Sequence, residues 1–272
     1  MVAMQPVDRP FGLWLKHWRS QRSFSQLDLA LASEVSQRHI SFLESGRAQP
    51  SRDMVLRLAA VLDVPLRDQN LMLTTAGFAA LYSEGDLDAP EMQPVRQALD
   101  FILQQQEPYP ALVVDRYWNL RLQNQAATRL LGRFMSPESL QAFYEPTGIN
   151  MMRLMLHPQG LRPFVVNWEE IAAQLVQRLH REALADGQAT PSHALLQDLL
   201  LSGDLPKTAT APNWQAHPVP LLTLHLRQED LNLRFFSTIA TLGTAHDITL
   251  QELRIECLFP ADEVTRQVLC AS

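Results

Sequence analysis

The chain has 272 residues, 46% hydrophobic and 19% charged, with a formal net charge of −6. That length and composition support two packed cores and exclude a disordered chain, a collagen-like chain and a small disulfide-stapled scaffold. The charge is unevenly spread: residues 1–80 carry nine Arg or Lys against seven Asp or Glu, a local +2, while residues 81–272 carry 14 against 22, a local −8.

Met1–Pro10 lacks a basic stretch followed by an apolar core, so no secretion signal is expected. From Phe11 to Gln49 the chain has no proline and reads as helices. Phe11, Leu15 and Trp18 share one face; Leu27, Leu29 and Ala30 begin a second segment; Ser25 and Ser36 are N-cap candidates. Trp14 and Trp18, four apart, form either a core stripe or an aromatic platform. Gly46 ends a third segment, Pro50-Ser51 opens a helix over 52–62, and Pro65 suits the first turn of a fifth helix reaching Gly77. Five short helices therefore make a compact, all-α domain over residues 1–80.

Residues 81–94 are acidic and polar and read as a linker or a frayed connection. A helix is expected over 95–106, then a β hairpin of 111–115 and 117–123 turning at Asp115-Arg116, then a helix over 124–131 ended by Gly132. Residues 134–166 give no clear period. Helices follow over 168–185, where Ile171, Leu175 and Leu179 recur at spacings of four, and over 192–201. Beyond Pro220 the period becomes two: Leu222, Leu224 and Leu226 alternate with Thr223, His225 and Arg227. Segments 233–242 and 248–259 continue as strands, which makes residues 95–272 an α/β domain with an antiparallel sheet. Cys257 and Cys270 lie near the end without a Cys-x-x-Cys and are expected as free thiols in a reducing cytosol. No apolar run approaches the roughly 18 residues of a membrane span, so a cytoplasmic protein without membrane contact is expected.

One segment carries chemistry. Ser25-Gln26-x-x-Leu29-Ala30 precedes Val35-Ser36-Gln37-Arg38-x-Ile40-x-x-Leu43-Glu44-x-Gly46 and then Pro50-Ser51. Leu27 and Ala30 are expected to pack one helix, Val35 the turn, and Ile40 and Leu43 the inner face of the next. Gln37, Arg38, Ser41 and Phe42 then face outward, where Gln pairs with adenine and Arg with guanine in a major groove. Gln26, near a helix N-terminus, adds a phosphate contact through its side chain and local amides. These residues resemble the Cro/C1-type helix-turn-helix of the Xre family over residues 11–78. The resemblance implies a recognition helix starting at Ser36, base contacts from Gln37, Arg38 and Phe42, with Ser41 beside them, and a buried pair between Arg19 and Glu44. Glu34 stands where the family has a turn glycine. Phe42 touches a thymine methyl or packs on the bundle; Arg47 and Arg52 contact phosphate or are ordinary surface charge.

In the second domain, the run Pro110–Leu120 with Asn124-x-Ala126-Ala127 resembles the start of a PAS-like fold as found in MmyB-type regulators. Trp168-Glu169 and His217-Pro218 match later landmarks, although the usual glycine after His-Pro is replaced by Val219-Pro220-Leu221. The resemblance implies a small apolar, fatty-acid-like ligand, a double-stranded DNA operator as partner and no required cofactor. A pocket between sheet and helices is expected to be lined by Met151, Met152, Met155, Phe164, Leu224, Phe235, Phe236, Ile239 and Leu258, with Arg153 or Arg234 as candidates for a carboxylate head group. The alternative is a C-terminal protein-interaction or dimerisation module with no small ligand. A lone helix-turn-helix reads few base pairs, so a homodimer is expected. No catalytic motif and no compact metal-ligand set are present in the sequence, so neither an enzyme nor a metal site is expected.

Overall fold

The computed structural model describes residues 10–186, 190–201, 205–206, 209, 223–243 and 246–271. Contacts divide it into two units, one comprising residues up to Asp86 together with Gly243–Gln251, the other Leu87–Leu242 with Glu252 onward. The division differs from the contiguous 1–80, 81–94 and 95–272 of the sequence reading.

The first unit has five helices: α1 (Phe11–Gln21), α2 (Gln26–Ser33), α3 (Gln37–Glu44), α4 (Arg52–Val61) and α5 (Leu66–Thr75). Serine side chains cap three of them, because a hydroxyl satisfies one of the amides that a helix start leaves unpaired. Ser25 caps α2 in a reciprocal box with Asp28, Ser36 caps α3 and Ser51 caps α4. The core takes Leu15, Leu29, Ile40, Leu43, Leu58, Leu62, Met72 and Leu73, all essentially inaccessible. Each contributes about 1.5–3 kcal/mol of burial. Trp14 and Trp18 pack with this core, so they form the core stripe. Leu27 does not: it is 50% exposed, and Leu29 fills the place assigned to it. Gly12 permits α1 to touch α3, since a Cβ there would lie 2.5 Å from the carbonyl oxygens of Leu43 and Glu44.

The start of the expected linker is built into this unit. Asn70 accepts from the backbone amides of Leu81 and Tyr82 and donates to the Tyr82 carbonyl, and Arg67 pairs with Glu84. The excursion Gly243–Gln251 is held likewise: Ser83 donates to Asp247, Thr249 to the Gly85 carbonyl, and the Leu66 amide to Gln251.

The second unit begins with a 3-10 turn and α6 (Gln93–Gln105). The hairpin β1 (Ala111–Val114) and β2 (Leu120–Gln123) follows, then α7 (Gln125–Phe134), α8 (Pro137–Gln141), a small hairpin β3 (Tyr144–Glu145) and β4 (Gly148–Ile149), and α9 (Met151–Leu156). Next come α10 (Trp168–Asp186), α11 (Pro191–Leu201), β5 (Thr223–Gln228), β6 (Leu231–Ala240) and β7 (Arg254–Pro260), with a last helix over Glu263–Cys270. The five-stranded sheet is antiparallel, in the order β2-β1-β7-β6-β5, which is a PAS-like arrangement.

Two sequence expectations fail here. Gly132 lies inside α7 with open space around it, so the helix runs on to Phe134. Ile248–Glu252 is a short helix, and the strand begins only at Arg254. The His217-Pro218 landmark, Val219-Pro220-Leu221 and Leu222 lie outside the described residues. Cys257 and Cys270 are free thiols.

Candidate nucleic-acid interface and ligand cavity

In the first unit, α3 is fixed from its inner side. Ile40 and Leu43 are fully buried, and Glu44 is locked by Arg19 through Nε–Oε1 at 2.6 Å and Nη2–Oε2 at 3.2 Å. Arg19 also donates to the Phe24 carbonyl, which ties the end of α1 to the entry of α2. Gln26 turns its side chain inward and donates to Glu44 Oε2 at 2.7 Å. Its amide side chain thereby joins α2 to α3.

The outer side is left open. Gln37 and Arg38 are exposed, Ser41 is half-buried one turn beyond Gln37, and Ser36 accepts from the His39 amide as the cap. Phe42 is half-buried, with the Arg38 guanidinium 5.2 Å and the Arg47 guanidinium 6.0 Å from its ring centre. Its ring props two cations, an interaction worth about 0.5–1 kcal/mol at such exposed sites. Arg47 and Arg52 are exposed on either side of the following loop. Glu34 closes α2 at φ 56° and ψ 38°, the left-handed turn that glycine adopts without strain.

In the second unit, a cavity of about 130 Å³ lies between the sheet and the helices. The β1–β2 turn and the start of α9 are fixed by local hydrogen bonds. Asp115 accepts from the amides of Tyr117 and Asn119 and so shapes the β1–β2 turn. Asn150 caps α9 and donates to the Tyr117 carbonyl and Asn119, which seats the methionine helix beside that turn. Met151, Met152 and Met155 of α9, Leu224 of β5 and Leu258 of β7 line the cavity.

Phe164, Phe235, Phe236 and Ile239 are not in its lining. Phe235 is completely enclosed in the core, and Phe164 packs on Phe134 with ring centres 5.3 Å apart. Phe236 points to the opposite face of the sheet, where it stacks on Phe259, because successive strand residues alternate. Ile239 packs on the neighbouring core cluster. Neither Arg153, paired with Asp198 at 2.7 Å, nor Arg234, 4.0 Å from Asp262, reaches the cavity.

The polar lining comes instead from Arg178 of α10, Ser237 of β6 and Glu256 of β7. Trp118 also lines it, with the guanidiniums of Arg178 and Arg254 at 4.4 and 4.8 Å from its ring. Glu182 accepts from Trp118 Nε1 at 2.8 Å, from Arg254 at 2.9 Å and from Arg178 at 3.3 Å. Burial pushes the Glu256 carboxyl above the usual carboxylate range, against the opposing pull of a Ser237 hydrogen bond and of Arg178. Burial also weakens the hold of Arg178 on its proton, partly offset by Glu182. Period two along the strands would have found two of these polar residues, since Glu256 is two from Leu258 and Ser237 two from Ile239.

Among the described residues no group of His, Cys, Asp and Glu is arranged to hold a metal ion. No described helix is long and apolar enough to cross a membrane.

Residues 95–271 match the family model described as the MmyB-like transcription regulator ligand binding domain. Residues 15–69 match that of a helix-turn-helix. No curated protein matches the chain. A solved "RNA-binding Light-Oxygen-Voltage Receptor" aligns with 98% of this chain and 62% of that one, at 14% identity and a TM-score of 0.28. The chain thus spans less than two thirds of that receptor.

Proposed function

Because the chain belongs to the MmyB-like transcription regulators, with a helix-turn-helix ahead of its ligand-binding domain, we propose that it is a sequence-specific regulator whose hold on a DNA operator is set by a small apolar ligand. The observation that carries the DNA reading is the two-sided character of α3: Ile40 and Leu43 are buried beneath, and Gln37 and Arg38 are exposed above. A helix anchored on one face can offer the other to a major groove, where Gln37 reads adenine and Arg38 guanine, with Ser36, Ser41 and Phe42 alongside. Arg47 and Arg52 neutralise phosphates next to it, which fixes register without reading sequence. A short reading helix discriminates few base pairs, so the protein acts in the cytoplasm as a homodimer on two half-sites.

The ligand is a small apolar molecule or amphiphile in the cavity, and no cofactor is required. The cavity, at about 130 Å³, is close to the roughly 150 Å³ of an engineered cavity that binds benzene. A fatty-acid-like ligand therefore enters as a short chain, or as a longer one around which Met151, Met152 and Met155 re-pack.

Gel-shift titration of a Gln37→Ala plus Arg38→Ala protein against the parent, on a selected operator and on scrambled DNA, tests the reading. Loss of the operator's advantage with residual binding to both DNAs is expected. Unchanged affinity and preference would remove α3 from the role.

A further inference from the structure

Phe42 is the apolar side chain of α3 that the fold does not use. Among the described residues, the core of the first unit takes Ile40 and Leu43 from this helix and packs Val35 and Ala48 from its flanks, but not Phe42. The phenyl ring lies one turn beyond Arg38, with the Arg38 guanidinium 5.2 Å and the Arg47 guanidinium 6.0 Å from its centre. Apart from that ring, neither guanidinium has a partner among the described residues, so their donors are open to a ligand. The backbone fixes ring and loop together. The Phe42 carbonyl accepts from the amides of Arg47 at 2.8 Å and Ala48 at 3.2 Å, and from the Ser45 hydroxyl at 3.3 Å. Arg38, Phe42 and Arg47 thus form one preorganised group, an apolar ring between two free cations.

Side chains four apart on a helix have Cβ atoms about 5–6 Å apart, against about 3.4 Å between base pairs. With Arg38 on the O6 and N7 of a guanine, Phe42 therefore reaches the adjoining base pair. A phenyl ring neither donates nor accepts a hydrogen bond, and the apolar group that a base pair shows in the major groove is the thymine methyl. We infer that Arg38 and Phe42 together read a guanine and the 5-methyl group of a pyrimidine at the next base step. The inference rests on α3 being the reading helix and adds what that helix reads. A ring that touches only the methyl treats thymine and 5-methylcytosine alike and separates both from uracil and cytosine. An operator with cytosine at that step consequently gains affinity when the base is methylated, which makes DNA methylation an input to the regulator at its operator.

The test starts by selecting operators for the full chain from random double-stranded DNA. Fluorescence anisotropy then compares duplexes with single replacements. The guanine read by Arg38 is the one whose 7-deaza analogue weakens the parent but not Arg38→Ala. A thymine is expected beside it, and deoxyuridine there should weaken the parent about fourfold, what burying one methyl group is worth. At the same position 5-methylcytosine should bind about fourfold better than cytosine. Phe42→Ala should bind thymine and uracil duplexes equally, and 5-methylcytosine and cytosine duplexes equally; if that variant does not fold, the parent's series decides alone. Selected operators without a thymine beside that guanine, no cost of uracil, or a uracil cost that survives Phe42→Ala overturns the inference and leaves the DNA reading standing. A selection that enriches no sequence takes the DNA reading with it.

Discussion

Arg19 and Glu44 close a two-point grip across 25 positions of sequence, with side chains only 13% and 6% exposed. Gln26 adds a third strut to the same carboxylate. The grip sets the angle at which α3 leaves the bundle, so it positions the reading helix without touching DNA. Truncating either partner strands the other in a poorly hydrated site. Arg19→Ala or Glu44→Ala is expected to cost about 3 kcal/mol in urea or thermal unfolding. Gln26→Ala should cost less, roughly 1–2 kcal/mol, since the ion pair remains.

Base contacts and phosphate contacts leave different signatures. Arg38→Ala is expected to lose about 1–3 kcal/mol of preference for the cognate base while non-specific binding changes little. Arg47→Ala and Arg52→Ala should weaken binding to all sequences alike and each reduce the slope of log affinity against log salt by about 1. Fluorescence anisotropy over a salt series separates the two classes. Phe42→Ala should resemble a weakened Arg38 and Arg47 together, because both guanidiniums lose the ring they lean on.

The left-handed residue between α2 and α3 gives a prediction of opposite sign. Glu34 sits at φ 56° without glycine's freedom. Glu34→Gly should raise stability by up to about 1 kcal/mol, and Glu34→Val should lower it by at least as much. Thermal unfolding of the three proteins gives the order directly.

Glu256 makes the second unit's stability depend on pH even without ligand. Its carboxyl is held above the ordinary range by burial. Below the carboxylate's ordinary range both folded and unfolded chains keep the proton, so nothing is lost. As pH rises, the unfolded chain ionises first, and the folded state forfeits stability until its own raised pKa is passed. Glu256→Gln is therefore expected to match the parent at acid pH and to exceed it near neutrality and above. A series of melting temperatures between about pH 5 and pH 9 checks the crossover.

The sequence shows local devices and hides distant ones. The serine caps and the spacing of Ile40 and Leu43 mark α3 because every signal lies within one turn of its partner. Gly12 gave no such signal: its need for space appears only when α1 meets α3. Ile248–Glu252 forms one turn of helix although Ile248 and Leu250 alternate as in a strand, because Asp247 accepts from the Leu250 amide and starts the turn. The cavity's methionines were legible as an adaptable apolar cluster on one helix. Of its polar end, Ser237 and Glu256 follow the period of two along β6 and β7, whereas Arg178 comes from α10 and meets them only in the folded chain.

The excursion Gly243–Gln251 has a consequence for how this architecture can be taken apart. The chain leaves β6, contributes residues to the unit containing the helix-turn-helix, and returns as β7. No single cut of the polypeptide yields both units whole. A fragment ending at Asp86 lacks the partners of Ser83, Gly85 and the Leu66 amide, while the remainder carries those residues with nothing to grip. Swapping the DNA-reading half for that of another regulator at one junction would therefore transplant an incomplete part, and a working chimera needs a second splice within the β6–β7 connection.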